Sequence, residues 1–314
     1  MEYKTLGIMM HNRCTANCDI CSVECSPHCN EELSCDDMEK FIDSCVETSI
    51  KTVSMTGGEP FIRYEVLKEL ISHCKDKGFT PTTVTNGFWA TSYEVTYAKL
   101  KELQNLGLAR LNVSYDHYHA KYVDIDNIRR IVKACNSLNL PYEIAIIKCK
   151  GEKIGDIVDS FESDPGVVNF LTAPCEPVGN AKRRLNDDLF ERNIKPEHLR
   201  CRYNGIITVY FDGSIYPCCS HYIFGSKLKI GDIRKIGMPE VLYKIRNNGL
   251  LYILRNYGFD SFLHMSRAMG MALPDRVSNP CEVCKLLFSE SVSEYGNDVK
   301  KFISDINVKA VQNG

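Results

Sequence analysis

No apolar run in this sequence approaches the ~20 residues needed to cross a bilayer; stretches such as Leu250–Leu254 stop far short. An excess of one charge is missing too, with 38 basic residues against 40 acidic ones and a net of −2. A general nucleic-acid binder carries a marked basic excess, so that class is set aside. The opening residues, Met1-Glu2-Tyr3-Lys4-Thr5-Leu6-Gly7-Ile8, lack the basic region and apolar stretch of a secretory signal. No repeat of the solenoid kind is present. These absences predict a cytoplasmic chain that works neither in a membrane nor on nucleic acid.

What is abundant is cysteine, sixteen in 314 residues. In a small secreted chain that count would read as a disulfide framework. In a long chain in a reducing cell, cysteine clusters more often bind metal. An apolar fraction of 44% supplies an ordinary globular core. The length suits one large domain or two of ~150 residues each. Cys45, Cys74 and Cys135 fall on predicted helices and read as small buried hydrophobes. Six more cysteines crowd residues 14–35, and among them only Cys14, Cys18 and Cys21 give a C-x3-C-x2-C run. Three thiolates that close together can each take one iron of a 4Fe–4S cluster, leaving the fourth iron open to a substrate or cofactor. Spacing alone assigns nothing to Cys25, Cys29 and Cys35.

Between Leu6 and about Leu171, short apolar strands alternate with amphipathic helices. The predicted strands are Leu6–Met10, Thr52–Met55, Thr80–Thr85, Arg110–Ser114, Tyr142–Ile147 and Val167–Leu171. One predicted helix runs from caps at Asp36 and Asp37 to about Thr48, and another over Tyr64–Lys77, closed by Gly78. A third runs from a Ser92 cap to Leu106, ended by Gly107; Asp126–Leu138 and Ile154–Ser163 complete the set. Strands recur about every thirty residues, the length of a βα unit, which predicts a parallel sheet with helical crossovers. Beyond about residue 190 the pattern changes. Asp212-Gly213 turns Ile206–Phe211 into Ser214–Pro217, a hairpin ending at Cys218-Cys219. Helical patterns over Pro239–Asn247 and Leu250–Met271 precede Cys281-x2-Cys284, and the polar tail from Ser289 reads as one or two amphipathic helices.

Four motifs each follow a predicted strand: the cysteine loop, Gly57-Gly58-Glu59-Pro60, Thr85-Asn86-Gly87 and Ser114-Tyr115-Asp116. In barrels of parallel strands, that end builds the active site. Gly57 and Gly58 let a ligand approach the backbone. Short polar residues there also close turns and cap helices. His117 and His119 reach the same end, where structural hydrogen bonding is their expected part.

The cysteine loop after one strand, with Gly-Gly-Glu-Pro after the next, resembles the radical S-adenosylmethionine (radical SAM) superfamily. The resemblance implies an α/β fold, a partial (β/α)6 barrel of the TIM type over residues 1–195. It implies a 4Fe–4S cluster on Cys14, Cys18 and Cys21, with S-adenosylmethionine held at its amino group by Gly57, Gly58 and Glu59. Asn86, Ser114 and Asp116 would meet the cofactor's ribose or carboxylate, and Lys182 or Arg183 its carboxylate. By spacing alone, Cys201, Cys218, Cys281 and Cys284 suit zinc as well as iron and sulfur. They resemble the SPASM and twitch type of auxiliary-cluster domain. That gives residues 196–288 a second 4Fe–4S cluster and leaves 289–314 as a helical tail.

A longer set of residues narrows the family. Asp212-Gly213-Ser214-Ile215-Tyr216-Pro217-Cys218-Cys219-Ser220, Ile253-Leu254-Arg255, Gly258-Phe259, Asn86-Gly87-Phe88-Trp89 and Cys21 to Pro27 are similar to the YydG-type radical SAM peptide epimerases. This implies maturation of a ribosomally synthesised precursor peptide by conversion of L- to D-residues. A 5′-deoxyadenosyl radical would take a Cα hydrogen. Adjacent side chains at a strand end point in opposite directions, so Cys219 would face away from the Cys218 cluster and return a hydrogen atom from the opposite face. An electron donor such as flavodoxin or ferredoxin is implied as a partner. One departure stands out: the family has an acidic residue shortly after the cysteine matching Cys201, where this chain reads Arg202-Tyr203-Asn204-Gly205-Ile206. It keeps peptide cross-linking, through a thioether or carbon–carbon bond, as an alternative. A non-catalytic metal-binding or electron-transfer protein is the third reading, and the strand-end motifs speak against it.

Overall fold

Six strands, β1 (Thr5–Met9), β2 (Thr52–Thr56), β3 (Thr80–Thr85), β4 (Arg110–Ser114), β5 (Tyr142–Lys148) and β6 (Phe170–Pro174), run parallel in the order 6-5-4-3-2-1. This is a computed structural model, and it describes residues 2–161, 168–201, 205–268 and 270–289. Alternation along the strands sends Val53, Met55, Leu111, Val113, Ile144 and Ile146 into the core with no exposed surface. The crossovers are α1 (Cys35–Asp43), α2 (Tyr64–Asp76), α3 (Tyr93–Leu106), α4 (Ile125–Leu138) and α5 (Gly155–Asp159), and α6 (Asn180–Arg184) follows β6. Six βα units in one parallel sheet bear out the alternation and make the partial barrel that the resemblance implies.

Local signals explain most boundaries and two differences. The Ser92 side chain accepts from the Val95 N–H at 3.2 Å, and Gly107 closes the same helix in the left-handed conformation. At α1 the cap is Ser34, which accepts from the Asp37 N–H at 3.1 Å. Asp36 and Asp37 sit in the first turn instead, where their charge meets the helix dipole. Strand β6 begins at Phe170, three residues after its predicted start at Val167, which lies outside the described residues.

The second region continues the same sheet. Strand β7 (Ile206–Val209) pairs parallel with β1, and β8 (Ser214–Tyr216) and β9 (Gly231–Asp232) follow antiparallel. Ile8 lies opposite Val209, so the turn at Asp212-Gly213 rises beside the exit of β1. Among the described residues this region also holds four helices: α7 (Met238–Arg246), α8 (Gly249–Asn256), α9 (Asp260–Ala268) and α10 (Pro280–Phe288). The single helical pattern expected over Leu250–Met271 is broken between α8 and α9 by Gly258, at φ +85°. A Cβ at Gly258 would lie 2.5 Å from the Leu199 carbonyl oxygen, because the chain crosses there over the segment leading to Cys201. Arg202, Tyr203 and Asn204, and the tail from residue 290, lie outside the described residues. Among the described residues no helix is long and apolar enough to cross a membrane.

Candidate active site

The cysteine loop leaves β1 and is pinched at its neck. The Asn12 N–H donates to the Glu31 carbonyl at 3.1 Å, Asn12 Nδ2 to Glu31 Oε2 at 2.7 Å, and the Cys14 N–H to the Ser26 carbonyl at 3.0 Å. On its outer side, Lys121 pairs with Asp19 at 2.9 Å and the Tyr122 hydroxyl donates to the Asn17 carbonyl at 2.8 Å. The loop is thus held open as a wall, and Cys14, Cys18 and Cys21 line one cavity of about 270 Å³. Gly57, Gly58, Glu59, Asn86 and Ser114 line it from the ends of β2, β3 and β4. Cys14 is pushed up to about 12, chiefly by burial. Cys21 is pulled down to about 6, chiefly by a hydrogen bond with the Cys25 thiol. The three sulfurs share the cavity but do not close to within 4.8 Å of one another, the span of a single-ion site among the described residues. A set of three soft thiols suits iron–sulfur or zinc chemistry and not a hard cation.

The Gly57-Gly58 pair serves the loop before it serves any ligand. The Gly58 N–H donates to the His11 carbonyl at 2.7 Å and the Glu59 N–H to the Arg13 carbonyl at 3.0 Å. A Cβ on Gly57 would come within 2.6 Å of the His11 carbonyl oxygen, and one on Gly58 would overlap the Arg13 carbonyl. Glu59 is 1% exposed, and both its oxygens are engaged. Oε1 accepts from the Phe61 N–H at 3.1 Å and the Thr85 hydroxyl at 2.8 Å, and Oε2 from the Asn86 N–H at 2.6 Å. Burial raises its pKa to about 7 against these donors. Glu59 therefore ties β2 to β3 under the cavity. Asn86 Nδ2 turns to the loop, 3.1 Å from Thr15 Oγ1 and 3.7 Å from Cys14 Sγ.

Asp116 does not line the cavity as the sequence suggested. It is buried behind it, with Oδ1 accepting from the N–H groups of Tyr118 and His119 at 3.0 Å and from His119 Nδ1 at 2.9 Å. His119 does line the cavity, as Cys18 does. Burial lowers the His119 pKa, but the bond to Asp116 and the nearby Cys18 outweigh it and lift the value to about 10. His117 faces outward to Glu152 at 2.7 Å and Asp156 at 2.9 Å. Lys182 and Arg183 are exposed and line nothing here; Arg183 pairs with Glu24 at 3.0 Å. The inward residue of their segment is Asn180, whose N–H donates to the Cys21 carbonyl at 2.9 Å and whose Nδ2 donates to the Cys18 carbonyl at 3.0 Å. Two residues on, a helix presents roughly its opposite face.

Of the remaining cysteines near the loop, Cys25 lines the cavity, Cys29 bonds Ser26 Oγ at 3.3 Å, and Cys35 lies apart beside Glu39 and Glu69. Sequence reasoning missed Cys149 and Cys175, which follow β5 and β6 and pack in one buried cluster, with the Tyr118 hydroxyl 2.9 Å from Cys149 Sγ. It also missed His221, which lines the cavity from the second region with Nδ1 3.1 Å from the Tyr210 hydroxyl. The signal was its place just after Cys218-Cys219-Ser220. Burial pushes Cys218 up to about 12 and Cys281 to about 11, and raises Cys201 and Cys284. Cys218, Cys281 and Cys284 each lie in the field of others of the set: Cys284 feels Cys218, Cys201 and Cys281. Asn279 caps α10 by accepting from the Cys281 and Glu282 N–H groups at 2.8 and 3.0 Å, which fixes the C-x2-C pair on the first turn. Cys219 is half-buried and does not line the cavity, while His221, two residues on, does.

His11, where β1 meets the loop, is 1% exposed, and burial followed by the nearby Arg63 lowers its pKa to about 4. The unfolded chain, at about 6.5, protonates first, so the stability from this neutral ring is full above pH 6.5 and is lost as pH falls toward 4. Urea unfolding of metal-free protein is expected to lose up to about 2 kcal/mol at this residue between pH 7.5 and 5. His11→Asn is expected to flatten that slope; an equal slope would remove His11 as its source.

Residues 8–163 match the radical SAM superfamily. Over 307 residues the chain is 29% identical to the peptide biosynthesis protein YydG of Bacillus subtilis (strain 168), covering 93% of this chain and 94% of that protein. Over 191 residues it is 27% identical to a GTP 3′,8-cyclase of Clostridium acetobutylicum, covering 57% and 58%. The solved structure of anSMEcpe with bound AdoMet and Cp18Cys peptide superposes with a TM-score of 0.59 at 12% identity, over 96% of this chain and 99% of that one. At that identity the likeness shows the fold. With the cysteine loop and the Gly-Gly-Glu-Pro turn meeting at one cavity on a partial barrel, the chain belongs to the radical SAM superfamily.

Proposed function

We propose that this enzyme epimerises L- to D-residues in a ribosomally synthesised peptide. The observation that carries the reading is similarity to a peptide biosynthesis protein along 93% of the chain, including both the barrel and the second cysteine set. Cys14, Cys18 and Cys21 would hold the 4Fe–4S cluster, and the strand ends around Gly57 and Ser114 would receive S-adenosylmethionine. When bound, these two supply a 5′-deoxyadenosyl radical able to take a hydrogen atom from a Cα. The loop wall and the buried Glu59 hold the cavity in shape. Cys219 gives the Cα its new hydrogen atom from the opposite face. The thiyl left behind needs one electron and one proton, and a cluster on the neighbouring cysteine set would supply the electron.

That set, Cys201, Cys218, Cys281 and Cys284, is assigned a second 4Fe–4S cluster. By ligand type alone the four thiolates suit zinc as well, so metal content decides. After anaerobic reconstitution the protein is expected to hold about eight irons and Cys281→Ala/Cys284→Ala about four; zinc in place of the missing iron would overturn the assignment. Mass decides the reaction. Incubation with the peptide encoded beside this chain should leave its mass unchanged and yield a D-residue on hydrolysis. Loss of two hydrogens would instead establish the cross-linking that the substitution after Cys201 leaves open.

A further inference from the structure

Of the six cysteines in residues 14–35, Cys35 alone sits on a helix, as the first residue of α1. Glu39 follows one turn later, so the two side chains leave the same face. On α2, Glu69 and His73 repeat that spacing. The two helices are neighbouring crossovers, and Met38, Phe41 and Ile42 of one join Leu67, Leu70 and Ile71 of the other in a single core. That packing brings their polar faces together. Cys35 Sγ, a Glu39 carboxylate oxygen and a Glu69 carboxylate oxygen all lie within 4.8 Å of one another.

His73 stands at the margin of the group, with Nδ1 3.6 Å from Glu39 Oε1, too long for a hydrogen bond. Its Nε2 lies 2.8 Å from Asp43 Oδ1, and Asp43 also pairs with Lys77 at 2.8 Å. A carboxylate only accepts, so Nε2 carries the proton of the neutral ring and Nδ1 keeps its lone pair. A carboxylate on the far nitrogen is how metal-binding histidines are held and oriented. The group therefore differs from a surface patch of acids. Its donors are one sulfur, one nitrogen and two carboxylates on two packed helices, and Asp43 orients the ring from outside it. Glu39 and Glu69 also bring two negative charges together, a repulsion that a divalent cation between them relieves. We propose that Cys35, Glu39, Glu69 and His73 hold one zinc ion, the borderline-soft metal that takes sulfur, nitrogen and oxygen donors in tetrahedral sites. Four protein ligands leave no open position, so the ion is structural and ties α1 to α2 where the cysteine loop returns to the barrel. None of the four residues lines the cluster cavity, and the site is independent of any peptide.

The test measures zinc in full-length protein whose iron–sulfur clusters have been reconstituted anaerobically, so that the other cysteine sets are filled. After incubation with zinc chloride and dialysis, the wild type is expected to retain about one zinc ion per chain. Its zinc-edge X-ray absorption should show one sulfur at about 2.3 Å and nitrogen or oxygen for the rest. Zinc affinity is expected to fall about tenfold in Asp43→Asn, which only loosens the ring, and about hundredfold or more in Cys35→Ser and Glu69→Gln. Iron content should stay at the wild-type level in all three. Glu69 is exposed, so its variant keeps the test decisive where Cys35→Ser fails to fold. Wild type without bound zinc, a zinc shell of sulfur alone, or unchanged affinity in Glu69→Gln overturns the site.

Discussion

Cys219→Ala is expected to abolish D-residue formation, by at least about 1000-fold, or about 4 kcal/mol of barrier, while cleavage of S-adenosylmethionine continues. A Cα that has lost its hydrogen atom is planar, so its two faces are equivalent until something distinguishes them. The group that removed the hydrogen occupies one face, and only a donor on the other gives inversion. Cys219 follows β8, is half-buried, and is two residues from His221, which reaches the cavity wall. Its neighbour Cys218 lies among Cys201, Cys281 and Cys284. A thiol exchanges with solvent, so in deuterated water the wild-type product should carry one deuterium on each inverted Cα. The variant should give neither D-residue nor deuterium. Undiminished D-residue formation by Cys219→Ala would remove this thiol from the reaction.

How much of this was legible beforehand depends on the distance along the chain over which each feature is decided. Strand and helix periodicity and caps such as Ser92 and Gly107 act within a few residues, and the parallel sheet with helical crossovers follows from them, while the partial barrel came from the motif resemblance. The cysteine loop is equally local. The split between α8 and α9 was hidden because the apolar period runs on through Gly258, and only the distant Leu199 carbonyl forces the turn there. Lys182 and Arg183 drew notice as charges, yet the residue turned toward the loop is uncharged Asn180. Asp116 was recognised as a site residue, and in the structure it is buried behind its partner His119, which lines the cavity. Cys149, Cys175 and Tyr118 meet only because β4, β5 and β6 are neighbours in the sheet.

Gly58→Ala is expected to be the most damaging change that alters no reactive group. The Gly58 N–H and the Glu59 N–H hang the start of the cysteine loop from the exit of β2, through His11 and Arg13. An added methyl would overlap the Arg13 carbonyl, a backbone atom that cannot swing aside as a side-chain tip can. Overpacking of this kind costs about 1–3 kcal/mol. The strain is relieved most readily by shifting the loop, whose far end carries Cys14, Cys18 and Cys21. Iron retained after anaerobic reconstitution should fall by at least the complement of one cluster, with S-adenosylmethionine binding at least about tenfold weaker, near 1.4 kcal/mol. Gly7→Ala is the matched control on β1, because a Cβ there meets only Thr208 Oγ1 at 3.8 Å and the Ile207 carbonyl oxygen at 3.9 Å. That variant should hold full iron and change stability by less than about 1 kcal/mol. Full iron and normal binding in Gly58→Ala would show that the loop is positioned by something other than its contact with this turn.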